Sequence, residues 1–238
     1  MREHKNKYMI SNRRQQILTA IIKEYIKTAA PVSSGLLVEK YKLSASTATV
    51  RNEMMILEDE GYIYQPHTSS GRIPTEKAFG LYLDEISQTA NRKLKSKDEQ
   101  VLAAALAEHN LKVAAKAIAE ISGNAVFWAF HKNDLYHTGL SNLFSQAEFK
   151  RVDLVCDVSV VIDRMEEIID SLFDDLPLGQ KVLIGQDNPF GNFLSTILLK
   201  YKQNNQSGLV GILSPLRADY ENHLAIMDYL EQNLNKKR

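Results

Sequence analysis

A single cysteine, Cys156, among 238 residues leaves no partner for an intrachain disulfide and fits a reducing, cytoplasmic setting. No apolar run approaches the roughly 18 residues that a membrane-spanning helix needs, so no membrane span is expected. The basic opening "MREHKNKYMISNRRQQ" lacks an apolar h-region and does not read as a secretory signal. Phosphate-cradling P-loops, G-x-S-x-G elbows and dinucleotide fingerprints are all missing. None of the six histidines (His4, His67, His109, His131, His137 and His223) has a recognised zinc spacing to cysteine or a second close ligand. Cys156 lies among valines and reads as a buried apolar residue rather than a nucleophile. The carboxylates Asp163, Glu166, Glu167, Asp170, Asp174 and Asp175 read as a solvated helix face. Catalysis has no visible foothold, and neither a cofactor nor a metal is expected.

Net charge is also missing: 29 Lys+Arg balance 29 Asp+Glu. The balance is uneven along the chain, however. Residues 1–95 carry 15 basic against 10 acidic side chains, and the remainder carries 14 against 19. A polyanionic partner would therefore bind at the N-terminal end.

Apolar spacing there predicts a compact set of elements. Ile17, Ile21, Tyr25 and Ile26 mark a first helix capped by Ser11 or Asn12, and Pro31 ends it. A second, short helix starts at Ser33 or Ser34 and carries Leu36, Leu37 and Tyr41. Serines 44 and 46 offer caps for a third helix with Val50, Met54 and Leu57 on its inner face, closed by Gly61. "YIYQ" reads as a short strand, "QPHTSSGR" as a loop and Ile73–Pro74 as the return. Thr75 then caps a helix bearing Phe79, Tyr82, Leu83 and Ile86. Helix, helix, helix, strand, loop, strand, helix within about 75 residues is the layout of a winged helix-turn-helix, whose third helix enters the major groove of DNA.

Charged, aperiodic "SQTANRKLKSKDE" marks a boundary: we expect residues 1–88 as the DNA-binding domain, 89–97 as a linker and 98–238 as a second, α+β domain. That second part opens with alanine-rich helices broken near Asn110. A hairpin follows, "AVFWAF" and "LYHTGL" around "HKND". "LFSQAEFKRVDLVCDVSVVIDRMEEIIDSLFDDL" reads as mostly helical, although "VDLVCDVSVV" within it is ambiguous because its valines favour a strand. "KVLIG", "STILLKYK" and "GLVGILSP" read as strands separated by "QDNP" and "QNNQSG" turns, and Asp219–Leu234 as a closing helix.

If Val50, Met54 and Leu57 face inward, the 100° helical step turns Ala48, Asn52 and Met55 outward, flanked by Thr49 and Arg51. Ser46 and Thr47 occupy the first turn. Small and hydroxylated residues let such a helix sit deep in a groove, where Arg pairs with guanine and Asn with adenine. In the loop, His67, Thr68, Ser69 and Ser70 offer hydrogen bonds, Gly71 allows a tight turn and Arg72 supplies positive charge for phosphate or minor-groove contacts. Arg13 and Arg14 add backbone contacts from the first helix. The expected DNA-contacting set is thus Arg13, Arg14, Ser46, Thr47, Thr49, Arg51, Asn52, His67, Ser69, Ser70 and Arg72.

The stretch "STATVRNEMMILEDEGYIYQPHTSSGRIPTEKAF" closely resembles the HrcA family of heat-inducible transcription repressors. The matching residues are Thr49, Arg51–Met54, Leu57–Glu58, Gly61–Tyr62 and Gln65–Thr75, with Ser70 where the family has alanine. "GLSNLFSQAEF", "IGQDNP" and "GILSPLRADYENHLAIMDYL" extend the likeness towards the C-terminus. The resemblance implies a winged helix followed by a small GAF-like α+β domain, and a dimer that binds an inverted-repeat operator before chaperone genes. It further implies release on heat stress, with a GroEL-type chaperonin as partner. Family members also carry a dimerising domain inserted in the GAF-like part. Here "FWAF" runs almost directly into "HTGLSNL", which leaves no room for it. Two other readings stay open: a ligand-responsive winged-helix regulator, and a winged-helix module that binds protein rather than DNA.

Overall fold

A computed structural model describes residues 10–87, 92–131, 134–203 and 206–234. The chain divides into two compact units, Met1–Ile86 and Ser87–Arg238. Parts of the expected linker and of the "HKND" and "QNNQSG" turns lie outside the described residues.

In the first unit, α1 (Asn12–Thr28), α2 (Ser34–Tyr41) and α3 (Thr47–Asp59) precede β1 (Ile63–Tyr64), β2 (Ile73–Pro74) and α4 (Glu76–Ser87). Each of the first three helices begins on a serine, Ser11, Ser33 or Ser46, whose hydroxyl accepts an otherwise unpaired amide of the first turn. Gly61, at φ +75°, takes the left-handed turn that ends α3. Ile17, Ile21, Leu37, Val50, Leu57 and Phe79 form the buried centre that the apolar spacing predicts. One carboxylate enters this core: Glu24 bonds Lys40 Nζ at 2.8 Å and accepts the Tyr41 hydroxyl at 3.0 Å. The Lys40 hydrogen bond holds the Glu24 carboxyl below its usual range, and burial beside it pushes the Tyr41 hydroxyl up to about 12.

The second unit is α+β. Helices α5 (Ser96–Ala107) and α6 (Leu111–Ser122), the latter capped by Asn110, lead into a five-stranded antiparallel sheet in the order β4-β3-β7-β6-β5. Its strands are β3 (Ala125–His131), β4 (Asp134–Thr138), β5 (Gly179–Ile184), β6 (Leu194–Gln203) and β7 (Gln206–Pro215). Between β4 and β5 run α7 (Leu140–Phe144), α8 (Val152–Asp163) and α9 (Met165–Asp175), and α10 (Tyr220–Leu234) ends the described chain. Phe127, Leu198, Leu209 and Leu213 of the sheet pack with Leu143, Val158, Met165 and Ile169 in one apolar cluster. Alternate side chains such as Trp128 point to the other face, where Trp128 Nε1 donates to the Tyr201 hydroxyl at 2.8 Å.

Two sequence expectations resolve here. "VDLVCDVSVV" is helical, because α8 serves as a lid over a sheet that already has its five strands. Cys156 is exposed on α8 rather than buried, which corrects the apolar reading of its neighbourhood. Only Val158 of this helix is fully buried, while Val152 and Val160 keep 76% and 56% of their surface.

A polar pair is sealed inside the second unit. The Asn124 amide nitrogen lies 3.4 Å from His223 Nε2, while Asn124 Oδ1 and His223 Nδ1 have no hydrogen-bond partner among the described residues. Burial pushes the His223 imidazole down to about 4. Among the described residues no group of His, Cys, Asp and Glu could hold a metal ion, and no helix is long and apolar enough to cross a membrane.

Candidate nucleic-acid interface

Helix α3 buries Val50, Met54 and Leu57 and turns the opposite stripe to solvent. Thr47, Ala48, Arg51, Asn52 and Met55 are all exposed on that stripe. Ser46 Oγ accepts the Thr49 amide at 3.1 Å and lies 3.0 Å from the Thr49 hydroxyl, so these two side chains are occupied in the cap. Arg51, Asn52 and Thr47 make no side-chain hydrogen bond or ion pair among the described residues. Small groups near the helix start and a cation one turn on form a surface that can approach a polyanion closely.

The loop between β1 and β2 is held by a few specific bonds. Ser70 Oγ donates to His67 O at 2.6 Å and receives the His67 amide at 3.2 Å, and the Ser70 amide returns to His67 O at 3.0 Å. Ser69 adopts φ +65° at the tip, with its side chain and that of His67 exposed. Gly71 lies against the backbone of Val32, where an added Cβ would sit 2.5 Å from the carbonyl group. That approach lets Val32 and Arg72 exchange two amide bonds of 2.9 Å, adding the α1–α2 connection to the hairpin as a third edge.

Arg72 is turned inward. Its Nε and one terminal nitrogen each lie 2.8 Å from Glu58 Oε2, and Glu58 Oε1 accepts the Gln65 amide at 3.0 Å. Gln65 Nε2 in turn donates to Ser70 O at 3.0 Å. A single carboxylate on α3 thereby clamps both ends of the loop. Arg14 is similarly engaged, with Glu53 at 3.0 Å and Glu60 at 2.9 Å, which ties α1 to α3. Arg13 is looser: its side chain is 59% exposed and 3.8 Å from Glu53.

The expected residues thus fall into two groups. Arg51, Asn52, Thr47, His67, Ser69 and Arg13 present side chains outward, whereas Ser46, Thr49, Ser70, Arg14 and Arg72 spend theirs on holding the surface in shape. Arg51, Ser33, Gln65, Ser69, Ser70 and Arg72 share a cleft of about 400 Å³ between α3 and the loop. Glu58 and Gln65, the residues that organise it, do not stand out by residue type. Only the i to i+7 reach from α3 to the loop start, visible once the hairpin is placed, marks them.

The fold is therefore that of an α+β protein whose helical unit bears a polar, cation-bearing helix beside a braced hairpin loop. The family model described as "HrcA protein C terminal domain" matches residues 43–224, well over half of the sequence, and the chain belongs to the HrcA family. Among similar proteins is the heat-inducible transcription repressor HrcA of Streptomyces avermitilis, 52% identical over 79 residues, which cover 33% of this chain and 23% of that protein. The proteins of the same name from Synechococcus elongatus and Clostridium perfringens are each 42% identical, over 120 and 114 residues. Those matches cover 48% of this chain and 34% and 33% of theirs, so the chain spans about a quarter to a third of the curated relatives it matches. A crystal structure of a hypothetical protein superposes with a TM-score of 0.76 at 20% identity, covering 95% of this chain and 98% of that one. At that identity the likeness speaks to the fold alone.

Proposed function

We propose that this chain is a sequence-specific DNA-binding repressor of heat-shock operons. In this reading the first unit is a winged helix-turn-helix with α3 as its reading helix and the 65–72 loop as its wing. The second is a GAF-like unit with a dimerising and regulatory role, and two copies meet an inverted-repeat operator. The observation that carries it is the exposed Thr47–Arg51–Asn52 face of α3 beside a loop locked by Glu58, in a chain of the HrcA family. Family membership supports release on heat stress with a GroEL-type chaperonin as partner.

The division of the arginines refines the site. Arg51 and Arg13 make the charge contacts with DNA, and Arg72 and Arg14 hold the loop and helix that present them. The test is a titration of the full chain against an inverted-repeat duplex and a scrambled one, with Arg51→Ala and Arg72→Ala beside the wild type. Arg51→Ala is expected to weaken operator binding by about 1–3 kcal/mol and to narrow the preference for operator over scrambled duplex. Arg72→Ala is expected to lower thermal stability of the first unit as well, since it leaves a partly buried carboxylate unpaired. Equal, weak binding of the wild type to both duplexes sinks the proposal.

A further inference from the structure

The cleft between α3 and the loop reaches a third element: Ser33 and Ser34, at the start of α2, line it together with Arg51, Ser69 and Arg72. Most polar side chains there are engaged. Ser33 Oγ accepts the Leu36 amide at 3.3 Å, Ser70 Oγ is bonded to His67, and Gln65 Nε2 donates to Ser70 O. Ser34 is the exception. It is only 7% exposed, it lines the cleft, and its hydroxyl makes no hydrogen bond among the described residues. A hydroxyl held nearly out of water without a partner costs stability, and an acceptor bound in the cleft would account for it.

The backbone around Ser34 points the same way. Ser33, the cap of α2, satisfies the Leu36 amide with its side chain and the Leu37 amide with its carbonyl, at 3.2 Å. The Ser34 and Gly35 amides are left without partners among the described residues, at the positive end of the helix dipole. Side chains in a first turn lean back over such amides, but Gly35 has none, and a Cβ there would meet nothing within 4 Å. Among the described residues, two arginines and no carboxylate line the cleft. Arg72 is engaged by Glu58, which leaves Arg51 as the cation of the α3 wall. The walls are fixed relative to each other, because Val32, just ahead of the α2 cap, exchanges two amide bonds with Arg72.

We infer that this cleft is a site for one phosphate group, whose oxygens accept the Ser34 hydroxyl and the Ser34 and Gly35 amides while Arg51 supplies positive charge from the facing helix. Donors that converge at a helix start, with a cation opposite, suit a tetrahedral oxyanion. Its source in the proposed function, on which this inference rests for its role, is a backbone phosphate beside the groove that α3 enters. Ser34 and Gly35 thus join the DNA-contacting surface as positioning groups. Contacts of this kind hold a duplex in register without reading its sequence.

The test uses the full chain and duplexes in which single phosphates of one half-site are replaced, one position at a time, by uncharged methylphosphonates. Wild type should lose affinity about tenfold at one position. Ser34→Ala should lose about as much on the unmodified duplex, yet little more at that position. The variant should weaken operator and scrambled duplex by the same factor. Its thermal midpoint should not fall, because the hydroxyl it removes has no partner in the free protein. A fall would mean that the hydroxyl is satisfied within the fold, which removes the premise. Inorganic phosphate, titrated against chloride at constant ionic strength and followed at the Ser34 and Gly35 amide resonances, separates the two sources of the group. Coupling between Ser34→Ala and one methylphosphonate supports the inference whether or not the free ion binds. Amides that shift saturably with phosphate while no duplex position couples assign the site to a free phosphate and overturn its place on DNA. Neither coupling nor shift overturns the site itself. Equal affinity for operator and scrambled duplex with the coupling intact would remove sequence-specific repression alone, and operator preference without coupling would remove this inference alone.

Discussion

His223 sits wholly buried on α10, with Nδ1 unpartnered among the described residues and the Asn124 amide beside Nε2. Its imidazole titrates at about 4 in the fold against 6.5 as an ordinary histidine. The unfolded chain therefore takes up a proton first as pH falls. Stability is complete above about pH 6.5, declines between there and about pH 4, and is constant below, a loss of order 3 kcal/mol from this group. Urea unfolding of His223→Leu should show a flatter dependence than the wild type across that window, and equal slopes would remove His223 as the cause. Neither His223's burial nor its partner is visible in the sequence, where it is one of six histidines without a metal spacing. Arg72 shows the opposite case. Its place beside the glycine turn is legible, but the direction of its guanidinium depends on Glu58, fourteen residues earlier, and no local pattern encodes that pairing.

Elements whose inner face is defined by spacing alone were readable. Helix α3, with its serine cap, its Val50–Met54–Leu57 stripe and Gly61 at its end, follows from propensity and period together. Helix α8 was readable only as an ambiguous part of a mostly helical stretch, because β-branched residues favour strands locally while tertiary packing decides the outcome. The inference from apolar to buried also runs only one way, which is why Cys156 came out on the surface. Within the sheet, small residues make room for aromatic rings on the neighbouring strands. A Cβ at Gly211 of β7 would lie 2.3 Å from the Phe127 ring of β3, and one at Gly208 as close to Tyr201 of β6. Gly211→Ala is expected to destabilise the second unit by about 1–3 kcal/mol through overpacking, read as a lower midpoint in chemical denaturation. An unchanged midpoint would mean that Phe127 and Leu198 yield without cost.

Net neutrality conceals an uneven distribution of charge along the chain. The excess of basic residues falls within positions 1–95, yet Arg14, Lys40 and Arg72 are already paired with carboxylates of their own unit. Those three are spent within the unit, and if Arg13, Arg51 and one or two lysines make the phosphate contacts of the proposed function, the logarithm of operator affinity should fall with the logarithm of salt at a slope of about −2 to −4 per protomer. A slope near zero would point to a protein partner instead, and a much steeper one to contacts from the second unit. The division into two compact units coincides with a composition shift and a change of period in the sequence, whereas which side of α8 the sheet leaves uncovered has no such mark.

The carboxylate at position 58 has a consequence for how this surface can change over time. Because it grips Arg72 and the Gln65 amide from within α3, loop and helix are one part, and neither can be retuned alone. If the surface reads DNA as proposed, a lineage drifting toward a new target sequence would find positions 58 and 72 frozen as a pair, each substitution penalised until the other follows. Its freedom lies instead at Thr47, Ala48, Arg51 and Asn52, where a side chain can be exchanged without loosening the scaffold that presents it.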